Sequence, residues 1–183
     1  MSYKRWVLAT IVLFGIGLVF GLVTPTSFAG LIGEDIAAIE ELGGILASLP
    51  SAVAAMFIFV KNASALLLSF VLSPILCLIP ILTLTVNGWL LAVVSVMVSQ
   101  EKSLGFVLAG LLPHGVFELP ALILGEAAAL SLGTVVIIAL FKKERRSQLL
   151  PSLKQNLRYL VLALALLLPA AIIETYVTPL LLT

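Results

Sequence analysis

The residues from Ala63 to Val98 form a stretch of 36 amino acids without one charged side chain. As a single α-helix this stretch would be about 54 Å long, whereas the hydrocarbon core of a bilayer is about 30 Å thick. Two membrane-spanning helices joined by a tight turn accommodate that length. Ser73-Pro74 and Ile79-Pro80 bracket the predicted turn, because proline interrupts a helix.

The composition of the whole chain agrees with a membrane location. Of the 183 residues, 62% are hydrophobic and only 10% are charged, whereas soluble domains are roughly one-quarter charged. The net charge of +1 gives no indication of nucleic-acid binding, and we expect none. The expected partner is the lipid bilayer, and the expected fold is an all-α membrane protein of one domain over residues 1–183.

We predict five membrane-spanning helices, at residues 6–23, 62–78, 81–98, 119–141 and 157–176. Ser51 is an alternative start for the second of these. Gly17 and Gly21 form a small-xxx-small pair in the first, which lets another helix approach closely. Residues 31–49 are predicted to form an amphipathic segment at the membrane surface, because their apolar residues recur at helical spacing opposite an acidic face.

The residues from Leu104 to Phe141 are again too many for one span. Residues 104–112 would reach only about 14 Å as a helix, which is half-way across the hydrocarbon core. The prolines at 113 and 120 interrupt the run. The pattern predicts a re-entrant half-helix over 104–112, a broken segment, and then a full span over 119–141.

The broken segment contains His114 and Glu118, and two geometries suit this pair. If the segment is helical, a spacing of four places both side chains on one face, where they can share a proton or a metal ion. If Pro120 instead opens the next helix, Glu118 lies at the positive end of that helix. The second geometry fits Pro113 and Gly115 better.

Four polar residues are predicted to lie in one outer layer of the membrane: Asn62, His114, Glu118 and Glu174. Such a layer can serve three purposes: hydrogen bonds to backbone groups freed by proline, a site for a proton, ion or headgroup, or catalysis. His114, Glu118 and Glu174 are the candidate catalytic residues and the candidate ligands of a divalent metal ion, which is the cofactor considered.

Two further polar residues are expected inside the membrane. Asn87 is expected to make an interhelical hydrogen bond. Glu126 lies about 12 Å deeper than Glu118 along a helix, so it must face protein or water, or be protonated.

The distribution of basic residues predicts the orientation in the membrane. Eight of the ten lie in two places, near the N-terminus or in the segment from Lys142 to Arg158: Lys4, Arg5, Lys142, Lys143, Arg145, Arg146, Lys154 and Arg158. The positive-inside rule then places the N-terminus in the cytoplasm of a multi-pass protein of the cell membrane, with the C-terminus outside. A site for a cytoplasmic partner or for a lipid headgroup is a sharper interpretation of the same basic segment.

One motif gives the chain a resemblance to a known family. The residues from Leu112 to Ala121 (LPHGVFELPA), the small-residue run that follows to Leu132-Gly133, and supporting positions elsewhere are similar to the stage II sporulation protein M family. The supporting positions are Asn62, Asn87-Gly88, Ile173-Glu174 and Thr178-Pro179. The resemblance extends from about Gly21 to the C-terminus.

The resemblance implies a multi-pass membrane protein. In spore formers the family member works with a pair of peptidoglycan hydrolases in septal thinning and engulfment, as a membrane scaffold, and in other organisms its role is unsettled. This chain departs from the family at Glu126, where a small residue is usual, and at Ser131, where arginine is common.

Three functions remain open from the sequence. The first is a non-enzymatic component of a cell-envelope remodelling assembly, with envelope proteins or further copies of the chain as partners. The second is an intramembrane metal-dependent hydrolase or lipid-headgroup enzyme that uses His114, Glu118 and Glu174. The third is a small proton-coupled transporter in which Glu118 and Glu126 carry protons.

Overall fold

The computed structural model describes residues 3–25, 41, 44–45 and 48–182, and among these residues it contains helices and no strand. Five helices are long and apolar enough to cross a membrane, which confirms the expected all-α, multi-pass membrane protein. The elements, in chain order, are α1 (Tyr3–Val23), α2 (Ser51–Leu72), α3 (Leu78–Glu101), α4 (Leu104–Phe141), a 3₁₀ helix (Lys143–Gln148), α5 (Leu149–Tyr176) and the single turn α6 (Thr178–Leu181).

Helix α4 is the central helix of the bundle. Half of its most apolar segment is buried inside the protein, against 22–33% for the other spans. Its alanines at 121, 128 and 129 pack against Leu66 and Phe70 of α2 and against Leu160 and Leu167 of α5. The small side chains allow two helices to approach α4 closely, so residues on its faces are brought next to residues of both neighbours.

Helices α1 and α3 pack in parallel through glycine. A Cβ atom on Gly17 would collide with the carbonyl oxygen of Thr85, and one on Gly88 would collide with that of Phe14. At Gly21 a Cβ atom would lie 2.5 Å from the carbonyl oxygen of Trp89. The small-xxx-small pair in α1 therefore provides a close helix contact, as predicted.

The expected re-entrant half-helix over 104–112 and the break after it are wrong. Helix α4 runs without interruption for 38 residues, with Pro113 and Pro120 inside it. Each proline removes one backbone donor, whereas a broken segment would leave many backbone groups without partners in a medium that offers none. Continuing the helix leaves fewer unpaired groups, so the prolines are accommodated within it.

Two further helix boundaries differ from the predicted ones. Helix α2 begins at Ser51, the alternative start, and ends at Leu72 rather than at 78, because the chain turns over residues 73–77 with positive φ angles of 52° at Leu76 and 56° at Cys77. Helix α5 begins at Leu149 rather than 157. Its early start places Pro151 in the first turn, where a missing N–H leaves no bond unmade. The amphipathic segment predicted at 31–49 lies mainly outside the described residues.

Candidate functional site: a His-Glu-Glu cluster

His114, Glu118 and Glu174 meet at the end of the bundle opposite the basic segment. One ligand atom from each residue can be chosen so that all three lie within 4.8 Å of one another. Because α4 is continuous, His114 and Glu118 lie on one face, one turn apart, with 3.7 Å between Nε2 and Oε2. This is the helical geometry; the alternative, in which Pro120 opens a new helix, is wrong. We call these three residues the His-Glu-Glu cluster.

Helix α2 contributes polar groups to the same cluster. Asn62 donates a hydrogen bond from Nδ2 to Oε1 of Glu118, with 3.1 Å between the atoms. The preceding residue, Lys61, is close enough to Glu174 for a favourable electrostatic interaction. All four residues predicted to share one layer, Asn62 and the three cluster members, are thus brought together by the packing of α2, α4 and α5.

Hydrogen bonds around His114 indicate which of its two ring nitrogens carries the proton. Nδ1 of His114 lies 3.4 Å from the hydroxyl of Thr178, and that hydroxyl donates its own proton to the carbonyl oxygen of Ile173 at 3.3 Å. Since the threonine proton is already committed, we assign the proton of this contact to Nδ1 of His114. Nε2, which faces Glu118, then presents a lone pair.

This arrangement of acceptors is chemically suited to a cation. The Nε2 lone pair and the carboxylates of Glu118 and Glu174 are all acceptors, and acceptors that face one another repel unless a positive charge lies between them. A proton on Nε2 provides one such charge. A divalent metal ion would provide another. It would bind a ring whose orientation is fixed by the contact with Thr178, as hydrogen bonds to the far ring nitrogen fix metal-bound histidines.

Two apolar grooves meet at His114. One, of about 390 Å³, lies between α1, α3 and α4 and reaches Glu118. The other, of about 250 Å³, lies between α3, α4 and the end of α5, and reaches Glu174 and Thr178. The side chain of His114 is 12% exposed and that of Glu118 is 33% exposed, so the cluster is accessible from the grooves while most of its surface is covered by protein.

Asn87 lies on the wall of the larger groove but does not make the expected interhelical bond. Its Nδ2 donates to the carbonyl oxygen of Thr83, 2.7 Å away in the same helix. The side chain is exposed, and its amide group pairs with the backbone of its own helix.

Glu126 is separate from the cluster. It is completely buried, and its Oε2 accepts a 2.6 Å hydrogen bond from the hydroxyl of Ser69 in α2, while its Oε1 has no hydrogen-bond partner among the described residues. The two grooves at His114 are lined by other residues. A proton-carrying role would need a wet path to this carboxyl group, and these grooves do not supply one.

Thr178 and Lys61 are members of the site that the sequence did not single out as site residues. Thr178 follows Glu174 by four residues, and Lys61 directly precedes Asn62. A spacing of four was available as a signal, since it places two side chains on one helical face. The fifth predicted span ends at residue 176, so Thr178 lies outside it. In the structure the chain continues with the helical turn α6, which begins at Thr178.

Comparisons with known proteins identify the family of the chain. The family model for stage II sporulation protein M matches residues 10–179. An uncharacterized protein of Methanocaldococcus jannaschii is 25% identical over 94% of this chain and 93% of its own length. A second uncharacterized protein of that organism is 29% identical over 59% of this chain and 50% of its own length. No solved structure matches the chain. This chain belongs to the stage II sporulation protein M family.

Proposed function

We propose that this protein is a membrane component of a cell-envelope remodelling assembly and that it binds one divalent transition-metal ion at the His-Glu-Glu cluster. The observation that carries the metal proposal is the convergence of His114, Glu118 and Glu174 within 4.8 Å. The envelope role is supported by family membership over residues 10–179. Partner proteins, or further copies of the chain, would dock on this membrane bundle.

The ligand set favours a metal of intermediate hardness. One imidazole nitrogen and two carboxylate oxygens suit Zn²⁺, Mn²⁺ or Fe²⁺, and a protein site with three ligands leaves a position open for water or substrate. Bond lengths of about 2.0–2.2 Å bring tetrahedral ligand atoms to roughly 3.5 Å from one another. Nε2 of His114 and Oε2 of Glu118 are 3.7 Å apart, and the three ligand atoms lie within 4.8 Å of one another, so side-chain rotations that draw the atoms together would complete the coordination.

A titration with Co²⁺ tests the metal site directly. The protein in detergent, stripped with a chelator, should bind about one equivalent of Co²⁺ with visible absorption, and Glu174→Gln should abolish this binding. Glu126→Gln is the matched control, because it makes the same chemical change at another intramembrane carboxylate, and it should leave the binding intact. Equal binding of Co²⁺ by wild type and the Glu174→Gln variant would contradict the proposed metal site.

A second candidate function is hydrolysis at this metal site. It is favoured by the two apolar grooves, which meet at His114. His114, Glu118 and Glu174 would hold the ion, which would supply Lewis-acid activation for the hydrolysis of an ester or phosphodiester in the headgroup of a lipid or lipid-linked substrate. The grooves would hold the apolar body of that substrate.

A fluorogenic short-chain phospholipid tests the hydrolase function. Metal-loaded wild type should release the headgroup, and the stripped protein and the Glu118→Gln variant should not. Metal binding without any headgroup release from this probe counts against hydrolysis of phospholipids and favours a site that holds the bundle together for an envelope assembly.

Gene replacement tests the envelope role in the host. Deleting the gene should alter cell shape or septum structure, and wild type should restore both, whereas Glu174→Gln should restore them poorly. A deletion strain with an unchanged envelope would contradict this part of the proposal.

A further inference from the structure

The end of the bundle opposite the His-Glu-Glu cluster contains the largest cavity described here, about 680 Å³. It lies between the last three turns of α4, the 3₁₀ helix and the first turns of α5, with Trp6 of α1 at one side. Its existence follows from the chain path, since α4 extends to Phe141 while the neighbouring turn between α2 and α3 contacts α4 already at Gly133.

The lining of this cavity contains both polar and apolar side chains. Its polar part includes the cationic side chains of Lys142 and Arg145 and the amide groups of Gln148 and Gln155. Aromatic and aliphatic side chains, including Trp6 and Ile138, form the remainder together with a few hydroxyl groups. A molecule that fills this space must therefore have an anionic or strongly hydrogen-bonding part and an apolar part.

Among the described residues, no carboxylate pairs with the cations that line the cavity. Arg145 donates a hydrogen bond to the amide oxygen of Gln148, with 3.2 Å between the atoms. The nearest acid along the chain, Glu144, is exposed and does not line the cavity. A second, smaller basic cavity with Lys154 and Arg158 adjoins it and shares Gln155.

We propose that this cavity binds the phosphate headgroup of an anionic phospholipid, with the lipid chains along Trp6 and Ile138. The cavity is amphipathic and lies where the helices leave the hydrocarbon, so a lipid reaches it laterally without leaving the membrane. Two cations near one phosphodiester complement its charge, as in other basic pockets between transmembrane helices. The site is independent of the metal proposal, because no residue of the His-Glu-Glu cluster lines it.

Binding of dioctanoyl phosphatidylglycerol to the detergent-purified full-length protein tests the proposal. We expect saturable binding, with dioctanoyl phosphatidylcholine at least about tenfold weaker. Replacing both cations, Lys142→Gln with Arg145→Gln, should raise the Kd for phosphatidylglycerol about thirtyfold. The matched control, Lys143→Gln with Arg146→Gln, removes the same charge from the same segment but from residues that do not line the cavity, and should change the Kd less than about threefold.

A cavity-filling variant separates a built site from general attraction to a basic surface. Val135→Phe keeps every charge and occupies the apolar part of the cavity, so it should also weaken phosphatidylglycerol binding. The proposal is overturned if both double variants weaken binding equally and Val135→Phe has no effect, because the attraction is then a matter of surface charge. It is also overturned if inorganic phosphate competes as well as the lipid does.

Discussion

His114 is oriented by the hydroxyl of Thr178. The contact of 3.4 Å between its Nδ1 and that hydroxyl presents Nε2 to Glu118 and Glu174. We predict that Thr178→Val lowers the affinity for Co²⁺ about 10–100-fold without abolishing binding, because a group that hydrogen-bonds the far ring nitrogen of a metal-bound histidine typically contributes that much.

The matched control for this prediction is Thr175→Val. Thr175 lies beside Glu174, but its hydroxyl donates to the carbonyl oxygen of Ala171 in its own helix at 2.9 Å. Its affinity for Co²⁺ should remain within about threefold of wild type in the same titration. An equal loss in both variants would mean that Thr178 acts through helix stability and does not orient His114.

Ser69 provides the hydrogen bond to the buried carboxyl group of Glu126. We predict that Ser69→Ala lowers the free energy of unfolding by about 1–3 kcal/mol, because the variant leaves a buried polar group without a partner. Ser64→Ala, at an exposed position of the same helix, should change it by less than about 0.5 kcal/mol. Unfolding in detergent micelles measures both, and equal stabilities would show that the Ser69 bond contributes nothing.

The depth of a single residue in the membrane could be predicted from the sequence, whereas its contacts with residues of adjacent helices could not. The distances along helices placed His114, Glu118, Glu174 and Asn62 in one layer. Which of them touch depends on the rotation of each helix about its axis. The same limit explains Asn87, whose depth was predicted but whose bond to Thr83 in its own helix was not.

At the scale of elements, the two prolines of α4 led to a wrong prediction of a break in this helix. In a soluble protein, Pro113 and Pro120 would be good indications of a helix end, because water satisfies the freed carbonyl groups. In a bilayer no water is available to pair with backbone groups, so a break in the helix costs more than its continuation through proline, and the helix continues. That continuity places His114 and Glu118 on one face, so the error about the half-helix and the error about the preferred geometry of the pair have one cause.

The contact between α1 and α3 gives a prediction about helix packing. Gly17→Ala should lower the free energy of unfolding by about 1–3 kcal/mol, because its Cβ atom meets the backbone of Thr85, which cannot move aside alone. Gly15→Ala is the matched control, since a Cβ atom there has no neighbour within 4 Å. Thermal unfolding in detergent compares the two, and a Gly17→Ala variant as stable as Gly15→Ala would contradict this packing.

At the scale of the whole molecule, the bundle has two chemically different ends. The basic segment and the proposed lipid site lie at one end, and the His-Glu-Glu cluster lies at the other. The positive-inside rule predicts that the basic end faces the cytoplasm. The cluster would then face the outside, on the side where the proposed envelope assembly would act.

Cysteine labelling tests this orientation. In a Cys77→Ala background, a cysteine at Lys143 should react with a membrane-impermeant maleimide only in inside-out vesicles, and one at Lys102 only in intact cells or right-side-out vesicles. Both positions are exposed in the structure, so access is limited by the membrane and not by the fold. The reverse pattern would place the cluster in the cytoplasmic half of the membrane.

The measurement that tests the account most directly is the metal content of the protein as purified, without added metal, by mass spectrometry of the elements. Wild type should contain close to one equivalent of a single divalent transition metal per chain, and His114→Ala should contain less than about a tenth of that amount. Asn87→Ala, which alters the wall of the adjoining groove but no member of the cluster, should retain the metal. A wild-type protein without bound metal, or a His114→Ala variant with as much metal as wild type, would contradict the assignment of the His-Glu-Glu cluster as a metal site.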